Sequence, residues 1–193
     1  MGLVSLRILL LPCVLLAGAW VPPAAAQSAP ASSPVPPAAS AIPAARPADV
    51  SSMDAVIKAV YDVISGPGDR QRDWNRMRSL FVPGARLIAV HAGKGGPNVA
   101  RVLSVEDYIR LAAPLMAKNG FFERESHRTV ERFGDIAQVF STYESRYAET
   151  DAKPFQRGIN SFQLMFDGRR WWVVTIYWQG ERPDQPIPKQ YGG

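Results

Sequence analysis

FERESHRTVERFGDIAQVFSTYESRYA (122–148) and RGINSFQLMFDGRRWWVVTIYWQ (157–179) carry the reading of the fold. Both are rich in β-branched and aromatic residues. Each is interrupted once, by Gly134-Asp135 in the first and Asp167-Gly168 in the second, so each predicts a long antiparallel hairpin. A two-residue turn at Gly134-Asp135 makes cross-strand partners sum to 269, which sorts the side chains onto two faces. Phe122, Val130, Ala137, Val139, Tyr143 and Tyr147 share one face, expected to look toward the core. Glu123, Glu125, His127, Glu131, Gln138, Glu144 and Arg146 share the other. The last strand is apolar on both sides, with Trp171, Val173 and Tyr177 on one and Trp172, Val174, Ile176 and Trp178 on the other. A strand covered on one side only alternates with polar residues, so the second side needs cover. A homodimer through Trp172, Ile176 and Trp178 supplies it, or the C-terminal tail ERPDQPIPKQYGG folds back over those rings.

Upstream the period changes to that of helices. Met53, Val56, Ile57, Val60, Tyr61 and Ile64 recur at helical spacing after Ser51-Ser52, and the run ends at Ser65-Gly66-Pro67-Gly68. DRQRDWNRMRSLF (69–81) predicts a second, short helix stopped by Pro83-Gly84, with Asp73 at its start as a cap rather than a base. ARLIAVHA (85–92) and NVARVLS (98–104) read as a hairpin around GKGGP. Ser104 with Asp107 three residues on opens a third helix, whose buried stripe is Val105, Tyr108, Ile109, Ala112, Leu115 and Met116. Pro114 kinks it and Asn119-Gly120 ends it. Helices first and strands last give an α+β class, with three helices packed on a strongly curved, mostly antiparallel sheet.

At the N-terminus, Arg7 precedes the apolar run ILLLPCVLLAGAWV (8–21), and Ala24 and Ala26 give a small-x-small pattern. The run is shorter than the ~20 residues that span a bilayer, so residues 1–26 read as a cleaved secretory signal and the chain as periplasmic or secreted. Residues 27–50 are almost all Pro, Ala and Ser and read as a disordered spacer, leaving 51–193 as one domain. Cys13, the only cysteine, lies within the signal, which excludes disulfides and thiolate chemistry from the exported chain. The net charge of +5 is spread among acidic residues, without a basic aromatic platform, which argues against nucleic-acid binding.

The candidate chemistry is sparse. His91 and His127 lack metal-ligand spacing, GKGG (93–96) lacks the phosphate-loop pattern, and no G-x-S-x-G elbow occurs; nothing implies a metal or cofactor. His91, near the end of the first strand, is a candidate acid or base. His127 falls on the polar face. Ser126, Arg128, Ser141 and Tyr143 are polar residues set among apolar ones and are candidate pocket residues, Arg128 as an anion anchor. Trp74 is expected to line the same pocket.

Three segments, RDWNRMRSLFVPGARL (72–87), SHRTVERFGDIAQVFSTYE (126–144) and RGINSFQLMFDGRRWWVVTIYWQ (157–179), resemble the nuclear transport factor 2-like (NTF2-like, SnoaL-like, cystatin-like cone) superfamily over roughly residues 52–181. The resemblance implies a cone-shaped sheet around a small-molecule chamber. It also implies, by position, that Tyr61 donates a hydrogen bond to a developing oxyanion. Such enzymes pair that donor with an acidic base inside the cone, and the face assignment above leaves no carboxylate there. The expectation is therefore binding of a small, partly apolar molecule without catalysis. The alternatives are an isomerase, dehydratase or cyclase using His91 or Tyr61, and a structural dimerisation module.

Overall fold

Ser52 starts the first long helix, its hydroxyl accepting from the Ala55 amide at 3.0 Å. In this computed structural model, which describes residues 42–93 and 95–193, the elements run α1 (Pro47–Val50), α2 (Met53–Ile64), α3 (Trp74–Leu80), β1 (Phe81–His91), β2 (Val99–Leu103), α4 (Val105–Asn119), β3 (Phe122–Phe133), β4 (Ile136–Arg146), β5 (Gln156–Phe166) and β6 (Trp171–Gly180), with a 3-10 turn at Lys189–Tyr191. The strands form one sheet in the order β2-β1-β6-β5-β4-β3, antiparallel except where β1 meets β6. The α+β expectation holds. Phe81, Phe162, Leu80, Val139 and Val173 are sealed between helices and sheet, each 1 % exposed or less, and each burial is worth roughly 1.5–3 kcal/mol. No helix among the described residues is long and apolar enough to cross a membrane. The signal reading and residues 27–41 of the spacer lie outside the described residues.

The end of the stretch read as spacer belongs to the folded body. Pro47 opens α1, Val50 is buried, and the Asp49 carboxylate takes two hydrogen bonds of 2.8 Å from the Arg76 guanidinium, which holds it below the usual carboxylate range. Asp73 caps α3, accepting from the Arg76 amide at 2.9 Å. That helix stops at Leu80, before Pro83-Gly84. Burial of Phe81 against Val173 draws the chain into the sheet early, and Pro83-Gly84 become an irregularity before pairing resumes at Arg86 and Thr175. The capping box of α4 is present. Leu115 leaves its expected stripe and is 64 % exposed, because Met116 takes the inward position beside it. Gly120 ends α4 at a φ of 70°, where a Cβ would sit 2.6 Å from the Tyr147 carbonyl oxygen.

Two irregularities change which face side chains occupy. In the β3–β4 hairpin, partners sum to 269 from Phe133 and Ile136 back to His127 and Thr142. The register then shifts at Ser126, so that Glu125 opposes Tyr143 and Glu123 opposes Ser145. This β-bulge turns residues 122–125 over. Glu123 and Glu125 come to the concave side, contrary to the uninterrupted register. In β6, Val174 is extra: Gln163 pairs with Thr175 but Leu164 pairs with Val173. Trp171, Val173, Ile176 and Trp178 therefore look inward. Trp172, Ile176 and Trp178 do not share a face, so the patch proposed for a homodimer does not exist as drawn. Trp172 lies on the outer face, where its indole N–H donates to Asp167 at 2.6 Å and the Arg170 guanidinium stacks 3.6 Å above it. The tail covers part of that outer face: Ile187 is buried, Thr142 donates to the Tyr191 carbonyl at 2.6 Å, and the Tyr191 ring packs on Phe140.

Arg72 ties this framework together. It is 5 % exposed and donates to the carbonyls of Ile64, Gly66, Pro67 and Arg70, satisfying the end of α2 and the turn after it. Arg72→Ala is expected to cost about 2–4 kcal/mol in urea unfolding, because several buried carbonyls lose their donors at once. Arg72→Lys should recover less than half of that, as a single ammonium cannot span four acceptors. Loss of under about 0.5 kcal/mol in Arg72→Ala contradicts this account.

Candidate functional site

The concave side of the sheet and the helices above it enclose a cavity of about 190 Å³. α2 supplies Val60 and Ile64, α3 supplies Met77, α4 supplies Tyr108, and the sheet supplies Leu87, Tyr143, Phe162, Ile176 and Trp178. Such a volume is slightly above the ~150 Å³ of a cavity that takes up benzene, and suits a single-ring molecule. Gly158 makes room for Tyr143: a Cβ there would meet the Tyr143 hydroxyl at 2.5 Å and the Gln179 carbonyl at 2.4 Å. Tyr108 and Trp178 meet edge to face at 6.4 Å, so two aromatic rings line one wall in a fixed relation.

The polar groups of the cavity are Glu123, Ser145, Gln156 and Asn160, with the Tyr108 and Tyr143 phenols. Glu123 accepts from the Ser145 hydroxyl at 2.7 Å and from the Asn160 amide at 3.4 Å. The same amide donates to the Tyr61 hydroxyl at 3.1 Å. Tyr61 lies 2.6 Å from Ser141, and Ser141 gives its only proton to Glu125 at 2.6 Å. The Tyr61 proton therefore goes to Ser141, away from the cavity. A continuous chain, Glu123–Asn160–Tyr61–Ser141–Glu125, thus joins two carboxylates behind the wall.

The two carboxylates differ in their electrostatics. Glu125 is ion-paired bidentately with Arg128, which also pairs with Asp54. Among the described residues Glu123 has no cation beside it; burial pushes its carboxyl up to about 7, against which the Ser145 and Asn160 hydrogen bonds act. Burial, with the Glu123 charge second, also raises the Tyr108 and Tyr143 phenols well above their ordinary value, and the same two causes raise Tyr61. All three tyrosines are neutral donors at physiological pH.

Of the residues singled out in the sequence, Tyr143 lines the cavity, while Tyr61 and Ser141 stand in the hydrogen-bonded chain behind it. Arg128 is consumed by Glu125 and Asp54 and is not an open anion anchor. Ser126 is the bulge residue, exposed, and donates to the Thr142 carbonyl at 3.3 Å. Trp74 packs at the margin of the core, and Met77, one turn on, reaches the cavity in its place. His91 is exposed on β1 opposite Val99, on the edge hairpin and outside the cavity. His127 faces outward beside Thr142, near Gly192 of the tail. Of the missed residues, Glu123 is turned inward by the bulge, while Ser145 follows Ser141 and Tyr143 along the regular β4 and Asn160 sits opposite Ser141 on β5; the Glu-x-Glu-Ser run at 123–126 is the local hint to the first. Among the described residues, no three His, Cys, Asp or Glu side chains converge as a metal site.

The buried carboxyl has a measurable signature. Since its folded value of about 7 exceeds the unfolded value near 4.5, the stability tied to protonated Glu123 is full below about pH 4.5 and is lost as pH rises through 7. Glu123→Gln is expected to gain roughly 2–3 kcal/mol on the wild type between pH 4 and pH 9 in urea unfolding. Parallel pH profiles for the two proteins contradict the assignment.

No protein-family model and no curated protein sequence matches the chain. Solved structures do. A candidate calcium/calmodulin-dependent protein kinase type II association domain from Thiobacillus denitrificans ATCC 25259 superposes with a TM-score of 0.51 at 10% identity, covering 68% of this chain and 96% of that one. An NTF2-like protein of unknown function from Pseudomonas putida KT2440 gives 0.50 at 13% identity, over 72% and 92%. A candidate dehydratase of the NTF2-like family from Streptomyces avermitilis gives 0.48 at 17%, over 72% and 96%. The first two likenesses, with a curved sheet of order β2-β1-β6-β5-β4-β3 closing on the helices, show that the chain has the NTF2-like fold.

Proposed function

We propose that this domain binds a small, mainly apolar molecule in its cone, and that Glu123 is the polar group that recognises it. One observation carries the reading: a carboxyl with no cationic partner among the described residues opens into an aromatic cavity large enough for a single ring. Ligand-observed NMR with single-ring fragments is expected to detect binding to the wild type, and loss of it in Leu87→Phe, which fills the cavity from β1. Amide spectra of the variant report whether it stays folded. Hits that survive in a folded Leu87→Phe, or no hits with the wild type, overturn the reading.

A second reading, a proton-transfer enzyme, is favoured by the same carboxyl, because a group near neutrality can both hold and release a proton at physiological pH. Glu123 then acts as the acid or base, with the neutral Tyr143 and Tyr108 phenols as donors to developing negative charge. Under this reading Glu123→Gln abolishes turnover and leaves fragment binding within about threefold.

The N-terminal charge, apolar run and small-x-small pattern support export of the domain to the periplasm or beyond. N-terminal sequencing of the protein recovered from a periplasmic fraction should begin at Gln27. Recovery only from the cytosol, beginning at Met1 or Gly2, contradicts export.

A further inference from the structure

We infer that the ligand of this cavity is an organic ammonium cation, held by the Glu123 carboxylate and by the aromatic side chains of Tyr108, Tyr143 and Trp178. The inference rests on the proposed binding function and narrows it to a charge class. Three observations converge on it.

First, both carboxyl oxygens of Glu123 accept hydrogen bonds from neutral donors, Oε2 from Ser145 and Oε1 from Asn160. Two donors aimed at two oxygens suit the ionised carboxylate. Second, the fold gives that charge no counter-ion. The groups facing it are Tyr61 on α2, Tyr108 on α4, Tyr143 and Ser145 on β4, and Asn160 on β5; its neighbour Glu125, on β3, is neutralised by Arg128. No Lys, Arg or His lines the cavity among the described residues. A buried carboxylate without a cation is costly, and a cationic ligand removes that cost. Third, the walls are aromatic. The faces of Tyr and Trp rings attract a desolvated ammonium by up to about 2 kcal/mol. An anion meets only repulsion from Glu123, and a neutral molecule gains at most a hydrogen bond from it.

Choline and its neutral carbon isostere, 3,3-dimethylbutan-1-ol, differ only in the charge at the quaternary atom. Titrated into the purified protein at pH 8 and followed by NMR, choline should bind at least about tenfold more tightly than the alcohol. The preference should fall to within about threefold at pH 5.5, where Glu123 is protonated, and likewise in Glu123→Gln at pH 8. The pH comparison in the wild type stands even if the variant fails to fold. Equal binding of both compounds at pH 8, or a preference that persists at pH 5.5, overturns the cation and leaves small-molecule binding intact. Absence of binding by either compound, where single-ring fragments do bind, overturns the cation alone. Silence from choline, alcohol and fragments alike removes both readings.

Discussion

One extra residue in β3 determines the chemistry of the concave surface. In an uninterrupted ladder Ser126 would oppose Tyr143, and Glu123 and Glu125 would point to the outer face. The bulge pairs Glu125 with Tyr143 instead and turns both carboxylates inward. Desolvation of a carboxylate is expensive, and the fold meets that cost differently for the two. Arg128 neutralises Glu125 at one end of the chain of hydrogen bonds, and Glu123 meets only neutral donors at the other.

The rest of the site follows from holding these two groups at fixed separation. Tyr61 comes from the buried face of α2, Ser141 from β4 and Asn160 from β5, and each uses its hydrogen-bonding capacity on the next. Helix and sheet are thereby joined by a polar chain within an apolar core. Such a chain is favourable only when every member is satisfied. It also restricts what Tyr61 can do: its proton is already given to Ser141, whereas Glu123 and the phenols of Tyr108 and Tyr143 line the cavity.

Much of the fold was legible because its signals are local. Ser52, Asp73 and Ser104 each cap the helix that follows, and Gly134-Asp135 makes the turn its composition announces. The site was legible only in part. Ser141, Tyr143 and Tyr61 were reached by period-two and helical counting, which is sound until an extra residue enters a strand. The bulges at Ser126 and Val174 break that count, and neither is marked by a glycine or a turn signal in the residues themselves. The first hid Glu123 and the second exchanged the faces of Ile176 and Trp178 relative to Trp171. Arg128 was misjudged for a related reason: its partners Glu125 and Asp54 come from the bulged strand and from the first turn of α2. The same long-range packing fixes Phe81 in the sheet, where local stop signals placed the helix end later.

The most direct measurement is the titration of the Glu123 side-chain carboxyl, followed by carbon-detected NMR and assigned with the Glu123→Gln variant. A midpoint near 7 is what an inward-facing, cation-free carboxyl requires. A midpoint near 4.5 would place Glu123 in water, remove the bulge as the device that furnishes the cone, and contradict the account.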